Sequence, residues 1–306
     1  MSSGVRVSVI GAGAMGSFYA SRFYDMDKEC VSLVAGGKRC ESLKKKGLTV
    51  NNKLYPLPVI HPKEKVPPAD LVIVAVKHHH LEETIKDMRC VIGTDTTIIS
   101  VMNGIESEER IGAAYGMEKV LYSTVAGIDA LRKGDQVVYT RQGKTFFGEA
   151  DNHSLSERVK KVQALFDRAG IAYEIPDDMI RNLWWKFMIN VGINQVSAVL
   201  RAPFSVFQQS SHARELMELT MREVMDIART AKVNLYEDDI QNWYTFMYQL
   251  SPQGRTSMLQ DIEAKRKTEV EMFAGKIIEL GERHAVPTPV NNVLFKAIKA
   301  IEEYIA

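Results

Sequence analysis

The sequence predicts a doubly wound α/β domain built on a parallel sheet, followed by an all-α domain. Three observations predict it. Short apolar, β-branched runs alternate with helical stretches through the first half. A glycine-rich turn joins the first run to the first helix. Beyond Pro176 only helical periodicity remains. A chain of 306 residues is comfortable for two such domains, expected at 1–176 and 177–306.

The elements follow in order. Val5 to Ile10 reads as a buried parallel strand. Gly11, Gly13 and Gly16 then form GxGxxG, and a helix continues from Ser17 to Phe23. The first glycine permits a tight turn. The second lets backbone approach a pyrophosphate seated on the helix N-terminus, and the third lets helix and strand pack closely. Strand, glycines and helix together predict a Rossmann-type dinucleotide site at Gly11, Ala12, Gly13, Ala14, Met15 and Gly16. "CVSLVA", "DLVIVAV" and "TTIISVMNG" are further strands, and Lys77 and Asn103 stand at two of their carboxyl ends, where such sheets bind ligands. The sheet is expected to continue through "QVVYT" and "TFFGE". Ser154 to Glu157 reads as a capping box opening a helix to Ala169. "IAYEI" is one more strand, and Pro176-Asp177-Asp178 is the natural break. Helices are then expected to about Leu200 and over Ala213–Ala231, Glu237–Leu250, Ser257–Arg283 and Val290–Tyr304.

Composition excludes several function classes. Apolar content of 45% and charged content of 25% are ordinary for a globular protein, and a net charge of +1 gives no global attraction for nucleic acid or an anionic membrane. No run approaches the ~18 apolar residues of a spanning helix, and no leader pattern opens the chain. Three cysteines without a CxxC pair point to a reducing, cytoplasmic setting. His78, His79 and His80 are consecutive and so point in different directions, which serves no single metal ion.

Two local patterns carry chemistry. A site preferring NAD usually has an acid about 20 residues past the glycines. "LVAGGKRCE" has none at the strand end, and Lys38 and Arg39 stand close by, so NADP(H) is the expected cofactor. The second pattern is in "LWWKFMINVGINQ". Lys186, Asn190 and Asn194 recur every fourth residue along one line of a segment otherwise apolar, with Asn182 and Ser197 extending it. By itself the pattern favours a solvent-facing stripe. Placed on the first helix after a dinucleotide domain, it is expected to face a ligand in an interdomain cleft. There a lysine can give a proton to a carbonyl that receives hydride, and asparagines can hold oxygens without adding charge.

Nearly the whole chain resembles the ketopantoate reductase (2-dehydropantoate 2-reductase) family. The resemblance is carried by "GAGAMGS", "VAVK" ending in Lys77, "MNG" around Asn103, "FFGE" ending in Glu149, "KFMINVGIN" and "TSMLQDIEAKRKTEVE". It implies NADPH-dependent reduction of 2-dehydropantoate to pantoate, on the route to pantothenate and coenzyme A. It implies Lys186 as proton donor, Asn190 and Asn194 as active-site amides, Ser257 on the substrate carboxylate and Glu269 as the orienting glutamate. Lys77 and Asn103 match cofactor-side positions, Asn103 also facing substrate and Glu269 also the cofactor. The choice of Glu269 over Asp261 comes from the resemblance alone. Monomer and homodimer are both compatible with it. Two departures stand out. Many members have Arg immediately after the second strand, where this chain has Ala35-Gly36-Gly37, and some have Asn where Phe204 stands. The second favours the rival reading, another 2-keto acid or opine-type dehydrogenase. A dinucleotide-sensing protein without chemistry would need none of Lys186, Asn190, Asn194, Ser257 and Glu269.

Overall fold

The computed structural model describes residues 4–134 and 136–305. The chain forms two compact units, Met1–Ile180 and Arg181–Ala306.

The first unit contains β1 (Val7–Ile10), α1 (Ala14–Met26), β2 (Val31–Val34), α2 (Gly37–Lys46), β3 (Leu48–Val50), β4 (Lys53–Tyr55), β5 (Val59–Ile60) and β6 (Leu71–Val74). It continues with α3 (Leu81–Asp87), β7 (Thr97–Ser100), α4 (Ser107–Tyr115), β8 (Val120–Ile128), β9 (Leu131–Lys133), β10 (Gln136–Val138), β11 (Gln142–Gly148), α5 (Glu157–Ala169) and β12 (Tyr173–Glu174). The main sheet has eight strands in the order β12-β11-β8-β7-β6-β1-β2-β5. The run from β5 to β8 is parallel, with Val7 opposite both Val31 and Leu71. Its strands are mostly apolar because both faces are covered. Val7, Val9, Leu71 and Ile73 enter one core, while Ile10, Val72 and Val74 enter the other, as the two-residue period of a strand requires.

Two expectations for this unit are corrected. Gln136–Val138 does not extend the main sheet. It pairs with β3 and β9 in a separate four-stranded sheet, β4-β3-β10-β9, whose short strands leave almost no periodicity to read. The N-cap of α5 is Ser156, not Ser154: its hydroxyl accepts from the Val159 N–H.

Among the described residues of the second unit the regular elements are all helical. It comprises α6 (Met179–Leu200, whose first two residues precede the unit boundary), α7 (Phe204–Gln209), α8 (Ser211–Thr230), α9 (Glu237–Met247), α10 (Ser257–Glu263), α11 (Lys276–His284) and α12 (Pro289–Ile305). Every residue of α6 from Phe187 to Ala198 is buried, as expected of a helix apolar around most of its circumference. The single helix expected over Ser257–Arg283 is broken. The chain leaves α10 after Glu263, turns with Lys265 at φ 52°, and re-enters through a wide π-type turn over Glu271–Gly275. Two buried groups hold the turn: Asp261 pairs with Arg266 at 2.9 Å, and the Thr268 N–H and hydroxyl both donate to Glu302 at 2.7 Å. "EAKRKTEVE" has good helix formers, but these tertiary bonds outweigh propensities worth only tenths of a kcal/mol. Asp261 and Glu269 therefore do not share one helical spiral.

Candidate functional site

The glycine turn has the shape its sequence implies. Gly11 has φ 101°, and a Cβ there would lie 2.4 Å from the Ala75 carbonyl oxygen. A Cβ on Gly16 would lie 1.9 Å from the Gly11 carbonyl oxygen. A Cβ on Gly13 would meet nothing within 4 Å among the described residues, so open space lies before the N-terminus of α1. That helix has no side-chain cap and no acid in its first turn. Uncapped N–H groups beside open space fit a pyrophosphate.

Strand order brings the other cofactor-side candidates to the same edge. β1, β6 and β7 are neighbours and parallel, so Gly11, Lys77 and Asn103 follow their carboxyl ends side by side. Lys77 and Asn103 are both partly buried. A buried network closes the loop that carries Asn103. The Ser100 hydroxyl donates to Ser107 at 2.7 Å, and the Ser107 hydroxyl donates to Glu108 at 2.8 Å. The Ser123 N–H also donates to Glu108, at 3.3 Å, and its hydroxyl donates to the Ser100 carbonyl at 2.5 Å. Burial pushes the Glu108 carboxyl up to about 7, against the lowering by its donors.

Arg39 donates to the Ala12 carbonyl at 2.7 Å. Arg132, from β9, donates to the same oxygen at 3.4 Å. Both line a cavity of about 200 Å³ beside the glycine turn, and Lys38 does not. Sequence reasoning missed Arg132, because a three-residue strand has no pattern that tells what it faces. A larger basin of about 580 Å³, lined by Lys63, Lys65, Lys86 and Arg89, includes no residue of the glycine turn.

In the second unit the polar line of α6 is not a solvent stripe: Asn190 and Asn194 are only 6% and 5% exposed. Asn194 Nδ2 donates to Asn190 Oδ1 at 3.3 Å, and Asn194 Oδ1 accepts from the Ser257 hydroxyl at 3.0 Å. The line thus joins the start of α10 through Asn194. Ser197 secures the same region, its hydroxyl 3.1 Å from that of Thr256, the N-cap of α10. Lys186 stands one turn before Asn190 and is partly buried. Desolvation pushes its ammonium down to about 8, with no carboxylate offsetting it among the described residues. Glu269 is 8% exposed and sits at the entry to the π-type turn, where its carbonyl accepts from Met272 and Phe273.

The family model "Ketopantoate reductase PanE/ApbA" matches residues 7–152, and "Ketopantoate reductase PanE/ApbA C terminal" matches residues 178–302. A 2-dehydropantoate 2-reductase of Archaeoglobus fulgidus is 31% identical over 97% of this chain and 98% of its own length. One of Aquifex aeolicus is 27% identical over 96% of each chain. Among solved structures, a ternary complex of D-mandelate dehydrogenase superposes with TM-score 0.89 at 24% identity, covering 98% of this chain and 99% of its own. A 2-dehydropantoate 2-reductase from Methylococcus capsulatus gives 0.83 at 24% identity, covering 99% and 98%. These two establish the fold, whereas the family models cover most of the chain, which belongs to the ketopantoate reductase family.

Proposed function

We propose that the chain reduces 2-dehydropantoate to pantoate with NADPH. The observation that carries this reading is the polar line of the mostly apolar α6: an ammonium with a depressed pKa, one turn from Asn190 and Asn194, which are bonded to each other and through Asn194 to Ser257 of α10. An ammonium near pKa 8 is still protonated at neutral pH and gives up its proton readily. A nicotinamide dinucleotide held there would supply the hydride that the keto carbon receives. Lys186 Nζ gives its proton to the keto oxygen, so the C=O bond becomes CH–OH and the lysine is left neutral. Asn190 and Asn194 hold substrate oxygens. The Ser257 hydroxyl, which donates to Asn194 in this structure, turns to the substrate carboxylate, and Glu269 accepts from the 4-hydroxyl. Gly11 to Gly16 hold the pyrophosphate, Lys77 and Asn103 attend the cofactor, with Asn103 also facing substrate, and Lys38 and Arg39 read the 2′-phosphate. We place the enzyme in the cytoplasm, in keeping with free thiols at Cys30, Cys40 and Cys90.

A second reading, a dehydrogenase of another 2-keto acid, has one specific support. Phe204 packs on Gly254, with a ring atom 2.9 Å from where a Cβ would stand, and its N–H donates to the Gly254 carbonyl at 3.0 Å. This puts an apolar ring three residues before Ser257. Initial rates of NADPH loss with 2-dehydropantoate and with branched 2-keto acids lacking the 4-hydroxyl separate the readings. A buried acceptor left unpaired rejects the deoxy analogues strongly. Equal turnover of the deoxy acids sinks the first reading and supports the second.

A further inference from the structure

We propose that Arg132, carried by the second sheet, is a specificity-determining residue that grips the 2′-phosphate of the cofactor together with Arg39. The inference rests on the NADPH reading above and adds a residue that neither the glycine motif nor the end of β2 contains.

The argument begins with the excursion that carries Arg132. β8 and β11 pair antiparallel from Tyr122–Gly148 to Ile128–Gln142. Between them the chain leaves the hairpin to form β9 and β10. Asp129 clasps the base of this excursion by accepting from the N–H groups of Thr140 and Arg141, each at 2.8 Å. Its far side is fixed as well. β10 pairs with β3, and the Asn51 amide exchanges two hydrogen bonds with the Tyr139 backbone, at 3.0 and 2.9 Å. Tyr139 also packs edge-on against Phe18 of α1, with ring centroids 5.2 Å apart. The excursion is thus anchored on the helix that opens at the glycine turn.

That anchoring sets the Arg132 guanidinium on the turn itself. Its Nη1 donates to the Ala12 carbonyl at 3.4 Å and its Nε to the Gly134 carbonyl at 3.1 Å. Arg39 Nη2, from α2, reaches the same Ala12 oxygen at 2.7 Å. Two guanidinium groups therefore converge on one oxygen at the rim of a cavity of about 200 Å³, with Ser42 and Lys46 also on its wall. Among the described residues no carboxylate pairs with Arg132. A phosphate matches the planar fork of arginine bidentately, so two guanidinium groups this close suit one. In a dinucleotide fold the ribose 2′ position lies past the end of the second strand. Here that end is Ala35-Gly36-Gly37, with no basic side chain of its own. The charge comes instead from α2 and from the second sheet. One opposing carboxylate is close: Asp87 lies 3.6 Å from where a Gly36 Cβ would stand.

The test titrates NADPH and NADH separately into the wild type and into Arg132→Ala, Arg132→Lys and Arg39→Ala, each checked by thermal melting. The wild type is expected to bind NADPH more tightly. Arg132→Ala is expected to weaken NADPH about tenfold or more, the worth of a charge-assisted pair, while NADH moves less than about twofold. Arg132→Lys is expected to recover only part of the loss, because a point charge lacks the fork. 2′-AMP should compete with NADPH better than 5′-AMP in the wild type, and this advantage should shrink in Arg132→Ala. A wild type that binds NADH as tightly as NADPH overturns the NADPH reading itself. A wild type that prefers NADPH, with Arg132→Ala folded and its NADPH-to-NADH ratio unchanged, overturns the role of Arg132 alone.

Discussion

Lys186 is where burial and chemistry meet. Its ammonium is held near pKa 8 by desolvation, so the protonated acid is available at neutral pH and disappears as pH rises through that value. Reduction is expected to fall with rising pH above about 8, and a pH profile of kcat with saturating cofactor checks it. Asn194→Ala removes the link between Asn190 and Ser257. It is expected to raise KM for the keto acid more than it lowers kcat, because an amide orients substrate but supplies no proton. Glu108 gives a second residue-scale prediction. Its carboxyl rises from the ordinary 4.5 to about 7 on folding. A raised folded pKa means stability is fully present below the unfolded value and is lost as pH rises through the folded one. The loss spans about pH 4.5 to 7 and amounts to about 3 kcal/mol at 1.36 kcal/mol per unit. Glu108→Gln should flatten that part of the pH dependence in denaturant melts, and an unchanged slope would contradict it. The polar line of α6 was legible because four-residue spacing is a local pattern. Glu108 was not, since its network joins four residues from β7, α4 and β8.

At the scale of elements, the first strand, turn and helix were legible because each glycine meets a local steric demand. Gly13 and Gly16 separate binding from folding. A methyl on Gly16 overlaps the Gly11 carbonyl oxygen, so Gly16→Ala should destabilise the fold by about 1–3 kcal/mol. A methyl on Gly13 meets no described atom. Gly13→Ala should therefore melt like the wild type yet lose dinucleotide affinity, because the methyl occupies the space of the pyrophosphate. Paired melting curves and cofactor titrations measure both, and a Gly13→Ala protein that binds normally would contradict the assignment. Other elements were not legible. The break in Ser257–Arg283 depends on Glu302 and Arg266 gripping the turn, which no helical periodicity can announce. The second sheet is built from strands of three residues, too short for an alternation to show.

At the scale of the molecule, the alternation of elements followed by helices alone was enough to foresee two kinds of architecture in one chain, because layer packing leaves few other solutions. The fold does not choose the substrate. In the proposed function that choice would rest on Lys186, Asn190, Asn194, Ser257 and Glu269, opposed by the apolar Phe204. The most direct test is the rate of NADPH oxidation with 2-dehydropantoate in wild type and Lys186→Ala, with cofactor affinity measured on the same samples. The account predicts a wild type active on this acid. It also predicts a variant that binds NADPH normally with kcat lowered by about 10²–10⁴-fold, the usual worth of a positioned acid. A Lys186→Ala enzyme that keeps kcat within about threefold of wild type would show that the lysine is not the proton donor.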